Sequence, residues 1–155
     1  PEPILDPDGE ALNPIQRISL DMTVLCDSGR WYYAWQQVGS IWIASFDPDR
    51  PAKLASKPKQ IVVPEFAWDN MIAEGPNAIV HDGTIFLIYS GSLVGIDYTT
   101  GLVTAPAGQG ADLCPHYSGP SHRRQRMDEA RLSAAEVRHV QRALAARHRP
   151  RHVVA

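Results

Sequence analysis

Residues 18–47 read ISLDMTVLCDSGRWYYAWQQVGSIWIASFD, and this stretch decides the fold. ISLDMTVLCD (18–27) is rich in β-formers and closes on Asp27-Ser28-Gly29. RWYYAWQQ (30–37) follows at once, so the two runs predict a hairpin. Period-2 alternation puts Trp31, Tyr33 and Trp35 on one face, with Tyr32, Ala34 and Gln36 on the other. SIWIASFD (40–47) predicts a third strand, ended by the turn chemistry of Asp47-Pro48-Asp49. KQIVVPE (59–65) predicts a short fourth strand, whose Pro64 suits an edge. The pattern then restarts with NAIVHD (77–82), an Asp82-Gly83 turn, TIFLIYSG (84–91) and DYTTGLVTA (97–105). Successive short strands at this spacing predict an all-β chain. Four strands that restart describe a propeller blade and its neighbour, although spacing alone favours a propeller no more than a sandwich or a barrel.

Composition fits this reading. The 155 residues are enough for one domain with a core, and 44% are hydrophobic, as in ordinary globular proteins. The thirteen prolines and eleven glycines fall mostly between apolar runs and read as turns. No run of about 18 apolar residues occurs, so no membrane-spanning helix is expected. The chain begins Pro1-Glu2-Pro3 with no basic, apolar leader, which leaves a mature form and a fragment both open. Cys26 and Cys114 lack metal-ligand spacing, and two free thiols are expected rather than a disulfide.

The net charge of −2 hides an asymmetry. Up to Leu113 six Lys and Arg stand against fourteen Asp and Glu; from Cys114 nine Arg stand against three acids. Five of six histidines lie in the later segment, and every aromatic except Tyr117 lies in the earlier one. A boundary is therefore expected there, giving a β-domain over 1–113 and a basic tail over 114–155. In the tail, Ser133 and Glu136 fit a capping box, and Val137, Val140 and Leu144 follow at helical spacing, predicting a helix over 133–147. A basic helix suits nucleic acid or an acidic surface. With no zinc finger, helix-turn-helix or interleaved aromatics, nucleic acid is disfavoured as a partner. The other reading is that an Arg-, Ala-, His- and Pro-rich stretch here reflects a shifted reading frame in GC-rich DNA.

Two acids occupy comparable places. Asp21 lies at the start of the first strand of one group, and Glu74, in AEGPNAIV, just before the first strand of the next. Inner propeller strands surround one axis, so carboxylates at their starts would converge on one mouth. Paired carboxylates are the equipment of glycoside hydrolysis. Most of the fourteen acids are expected simply to be solvated, so a lone carboxylate is weak evidence. Gly75 and Pro76 let the backbone turn beside Glu74, and Pro76 removes a donor where no ladder partner is expected. Trp35, Trp42 and Trp68 are of a type that stacks on sugars, although such rings more often fill a core. Trp68 and Trp35 are taken as the substrate-binding candidates, with Trp68, in the loop before Glu74, preferred. His81 reads as a solvated hairpin residue, and no metal site is expected from residues 1–113.

QRISLDMTVLCDSGRWYYAWQQ, SIWIASFDPDRPAKL, EFAWDNMIAEGPNAIVHDGTIFLIYSGS and DYTTGLVTAPAGQGADL, in this order, resemble the middle of a glycoside hydrolase family 43 enzyme over about residues 15 to 113. The most specific piece is Glu-Gly-Pro followed by a hairpin ending Tyr-Ser-Gly-Ser. The resemblance implies a partial five-bladed β-propeller of two to three blades, from an enzyme hydrolysing arabinose- or xylose-containing plant polysaccharides with inversion. It implies Glu74 as general acid and Asp21 as the carboxylate that orients it and modulates its pKa. The family's Asp general base belongs to a first blade not recognisable here; Asp6 and Asp8 read as a hairpin turn. The chain alone is therefore expected to be weakly active or inactive. The resemblance implies no catalytic cofactor, although family members carry a structural cation on the axis. Carbohydrate is the expected partner, with self-association through open blade edges. An extracellular or periplasmic location is favoured for an enzyme of this kind. The alternative is a non-catalytic propeller that binds a glycan or a protein.

Overall fold

A computed structural model describes residues 3–13, 18–66, 68–95 and 98–108. The proposed 133–147 helix and the rest of the basic tail lie outside the described residues. The described chain is all β. Seven strands form two antiparallel sheets, β1 (Leu20–Asp27), β2 (Arg30–Gln37), β3 (Ser40–Phe46) and β4 (Lys59–Val62) in the first, and β5 (Ala73–His81), β6 (Thr84–Gly91) and β7 (Thr99–Pro106) in the second. Within each sheet the strands lie side by side in chain order. This is the up-and-down meander of a propeller blade.

The tight turns follow from local chemistry. β1 and β2 join through Ser28-Gly29, β2 and β3 through Val38-Gly39, and β5 and β6 through Asp82-Gly83, with both central residues at positive φ in every case. That is the type I′ geometry whose twist matches paired strands. Its price in strain is highest at Val38, a β-branched residue at φ 53°.

Two of the boundaries that differ from expectation bear on the site. β4 stops at Val62, before Val63-Pro64, so the fourth strand is shorter than 59–65. β5 begins at Ala73 and not at Asn77, which puts Glu74 inside the strand, paired with Ser90. The Gly-Pro step that reads as a strand breaker is a bulge: Gly75 and Pro76 together stand opposite Tyr89, between the Glu74–Ser90 and Asn77–Ile88 pairs. Gly75 adopts φ 60°, the left-handed conformation such bulges favour. β1 repeats the device. Asp21 and Met22 stand together opposite Trp35, between Leu20–Gln36 and Thr23–Ala34, and Asp21 takes φ 55°.

The two sheets face one another across the larger core cluster. The first sheet contributes Leu25, Tyr32, Ala34, Ile41, Ile43, Ile61 and Val62; the second contributes Ala73, Ile85, Leu87 and Tyr89. Burying such side chains is worth about 1.5–3 kcal/mol each and fixes the angle between blades. The opposite face of the first sheet buries Tyr33, Trp35, Ala44, Phe46 and Leu54 under Ile4 and Leu12 of the N-terminal segment. Both faces of β2 are therefore interior, which accounts for its run of aromatics. The N-terminal segment is stitched on by bonds from Leu5 N–H to the Ala52 carbonyl (3.0 Å) and from Leu54 N–H to the Leu5 carbonyl (2.8 Å).

Candidate active site

The starts of β1 and β5, the β2–β3 turn and the loops β4–β5 and β6–β7 come together at one end of the two sheets. The Gly39 carbonyl accepts from Ala73 N–H at 2.8 Å, tying the β2–β3 turn to β5. Ser92 N–H, just past β6, donates to the Asp69 carbonyl at 2.7 Å, tying the two loops together.

Asp21 and Glu74 meet here. The Asp21 Oδ2 accepts from Gly75 N–H at 3.2 Å. The two bulges are offset by one position, however. In β1 the left-handed residue is Asp21 itself; in β5 it is Gly75, the residue after Glu74. Asp21 thus holds the backbone beside Glu74, while the Glu74 side chain remains available. Asp tolerates positive φ better than most residues with a Cβ.

Glu74 Oε1 accepts from the Tyr98 hydroxyl at 2.7 Å. Tyr98 stands immediately before β7 and is 42% exposed. Ser90, the cross-strand partner of Glu74, lies beside the same hydroxyl. The Tyr98 pKa is raised. Ser90 pulls it down, but donation to Glu74, burial and the charges of Glu74 and Asp21 together outweigh that pull. Sequence reasoning read Tyr98 only as a strand residue. The available signal was an aromatic hydroxyl at the entry to the third strand of the group, where a side chain lies level with the start of the first.

Asp69 is a second residue that the sequence did not single out. It is 0% exposed. Its Oδ2 accepts from Glu65 N–H and Phe66 N–H, both at 3.0 Å, and shapes the loop leading to Glu74. Its Oδ1 is buried with no hydrogen-bond partner among the described residues. Burial pushes its carboxyl pKa up, the bonds from Phe66 and Glu65 resist, and the Glu65 charge adds to the rise.

The Trp35 assignment is corrected. Trp35 is 0% exposed in the cluster beneath Ile4 and Leu12, its indole N–H on Gln37 Oε1 at 3.1 Å, so no sugar can reach it. Trp42 belongs to the same cluster. Trp68 is half-buried and stacks between Phe66 and Tyr89, with ring centroids at 5.8 and 5.9 Å. It covers Gly91 and Gly101, where an added Cβ would come within 2.6 and 2.7 Å of its ring. Gly91 and Ser90 are neighbours on one strand and face opposite ways. Trp68 therefore lies on the inter-sheet side of the second sheet, whereas Glu74, Ser90's partner, lies on the other.

Asp6, Asp8, His81 and Cys26 lie away from this junction. Asp6 and Asp8 form a turn in which Asp6 Oδ1 caps Asp8 N–H and Glu10 N–H. Lys57 pairs with both carboxylates. The Lys57 ammonium, then the capped N–H groups, hold the Asp6 carboxyl below its ordinary value. His81 is exposed, with its Nε2 3.2 Å from the carboxylate of its neighbour Asp82. Cys26 is an exposed free thiol. Among the described residues no group of three or more His, Cys, Asp or Glu could hold a metal ion, and no helix is long and apolar enough to cross a membrane.

Comparison with known proteins agrees with this architecture. The family model for glycosyl hydrolases family 43 matches residues 7–135, running past Leu113. An extracellular exo-α-(1→5)-L-arabinofuranosidase of Streptomyces avermitilis is 31% identical over 115 residues, covering 68% of this chain and 23% of that protein. α-L-Arabinofuranosidase 43 of Humicola insolens is 32% identical over 100 residues, covering 57% and 20%. Among solved structures, the α-L-arabinofuranosidase of Lactobacillus brevis superposes with a TM-score of 0.55 at 28% identity, over 61% of this chain and 32% of that one. A thermostable family-43 glycoside hydrolase reaches 0.56 at 20% identity, over 71% and 40%, a likeness of fold. The chain spans about a fifth to a third of the length of the curated relatives it matches. With the family model covering most of its length, the two sheets are blades of a β-propeller, and the chain belongs to glycosyl hydrolases family 43.

Proposed function

We propose that the protein carrying this chain hydrolyses L-arabinofuranosyl linkages, and related xylosyl linkages, of plant polysaccharides with inversion. Glu74 acts as general acid and Asp21 orients it. The observation that carries this reading is the junction of the two bulges, with Asp21 Oδ2 on Gly75 N–H at 3.2 Å beside a Glu74 side chain that is neither ion-paired nor fully buried among the described residues. Glu74 stays in the ladder opposite Ser90, and the bulge directly after it re-aims the strand at that point, which suits a group that must reach a substrate.

In an inverting glycosidase the acid protonates the leaving oxygen while a carboxylate base, about 6.5–9.5 Å away, activates water on the opposite face of the sugar. Asp6 and Asp8 are poor candidates for that base, because Lys57 and the turn occupy them. The family resemblance implies a base in a first blade not recognisable here, and the chain alone is expected to turn over little substrate. The names of the relatives support arabinofuranosyl ends as substrate and a location outside the cell.

The test is hydrolysis of aryl α-L-arabinofuranosides and β-D-xylosides by the complete protein. Turnover that Glu74→Gln lowers by about 100-fold or more supports the reading, in line with the usual contribution of a general acid. Glycan binding that survives Glu74→Gln, with no turnover in the unsubstituted protein, overturns it.

A further inference from the structure

Glu74 has two carboxyl oxygens, and they are not equivalent. Oε1 accepts from the Tyr98 hydroxyl at 2.7 Å, and no bond to Oε2 is formed among the described residues. The tyrosine hydroxyl has a single proton, which is committed to Glu74. Ser90, fixed on β6 opposite Glu74, stands beside that hydroxyl and lowers the tyrosine pKa.

We propose that Tyr98 is a positioning residue that determines which oxygen of Glu74 carries the transferable proton. The proposal rests on the hydrolase reading above. With Oε1 occupied as an acceptor, the acid's proton resides on Oε2. In the reaction that proton passes from Oε2 to the glycosidic oxygen as the bond from that oxygen to the sugar's anomeric carbon breaks. The oxygen of a water molecule forms the new bond to the anomeric carbon and yields its proton to the base. Oε1 keeps the Tyr98 hydrogen bond throughout, and that bond strengthens as the carboxylate forms. A neutral hydroxyl suits this place better than Lys or Arg. A fixed cation would favour the ionised carboxylate and strip the acid of its proton before substrate arrives.

Two measurements test this. In the chain labelled with ¹³C at the tyrosine ring carbon bearing oxygen, and with the Tyr98 signal identified by its loss in Tyr98→Phe, the Tyr98 midpoint is expected above the ordinary 10.0. It is expected to fall in Glu74→Gln, which removes the charge. A midpoint indifferent to Glu74→Gln overturns the pairing. In the complete protein, Tyr98→Phe is expected to lower kcat by about 10- to 100-fold on an alkyl arabinofuranoside, whose departure needs the acid, with KM changed about two-fold or less. On 2,4-dinitrophenyl arabinofuranoside, which departs unaided, kcat is expected to be nearly unchanged. Equal losses on both substrates mark a structural role only and overturn the proposal. If the unsubstituted protein hydrolyses neither, the hydrolase reading falls, and the Tyr98 titration still decides the pairing.

Discussion

Substituting Asp69 separates two effects that act on one carboxylate. Asp69→Ala removes the acceptor for Glu65 N–H and Phe66 N–H, each at 3.0 Å. Both donors lie near the surface, where water replaces part of the loss, so we take about 1 kcal/mol each and about 2 kcal/mol in all. At a urea dependence of about 2 kcal/mol per molar, the unfolding midpoint drops by about 1 M. Asp69→Asn keeps one acceptor oxygen and removes only the charge. Burial raises the folded pKa of Asp69 above its ordinary 3.8, so the folded state is penalised for ionising it. The penalty is absent below that ordinary value and fully present above the folded one. Stability from this group therefore falls as pH rises through that window. Asp69→Asn escapes the fall, so its stability relative to the unsubstituted chain is expected to improve as pH rises above the ordinary 3.8. Paired urea titrations at several pH values measure the difference. A relative stability that declines with rising pH would refute the reasoning, because it would mean that the loop prefers the ionised carboxylate.

Gly101→Ala places a Cβ 2.4 Å from the Tyr89 ring and 2.7 Å from that of Trp68, and overpacking of this kind costs about 1–3 kcal/mol, read as a lowered thermal midpoint. Trp35→Ala is expected to cost about 3–5 kcal/mol in chemical denaturation, because the whole ring is buried; a loss under about 1 kcal/mol would contradict its place in the core. β1 exposes Leu20, Met22 and Val24, so the chain alone is expected to self-associate in sedimentation experiments, and Val24→Lys to reduce that association. A chain that is monomeric at every concentration refutes this.

What the sequence made legible was local. Ser28-Gly29 and Asp82-Gly83 announce their turns because left-handed backbone is confined to few residue types, and β2 and β6 begin and end where their letters say. Glu74 and Asp21 stood out through the family resemblance and through their positions near strand starts. The Gly-Pro step misled about where β5 begins, because a breaker and a bulge use the same residues. Alternation assigns a face to Trp35 but not its fate, since both faces of β2 are covered. Asp69 and Tyr98 owe their importance to partners on other strands and loops, and no short-range pattern encodes those contacts.

The paired bulges have a consequence for how the site tolerates change. Each adds one residue to an inner strand, and below it the ladder resumes ordinary register, from Thr23 to Asp27 in β1 and from Asn77 to His81 in β5. The extra residue works as a phase shifter. Deleting Met22 or Pro76 would restore an unbroken ladder, put Asp21 opposite Trp35 or Gly75 opposite Tyr89 in regular pairing, and remove the left-handed turn that brings Asp21 Oδ2 onto Gly75 N–H. Point substitutions within the ladder leave that phase untouched. The inner strands are thus permissive in letters and strict in count, so the length of the segment, more than its composition, keeps the two carboxylates within reach of one another.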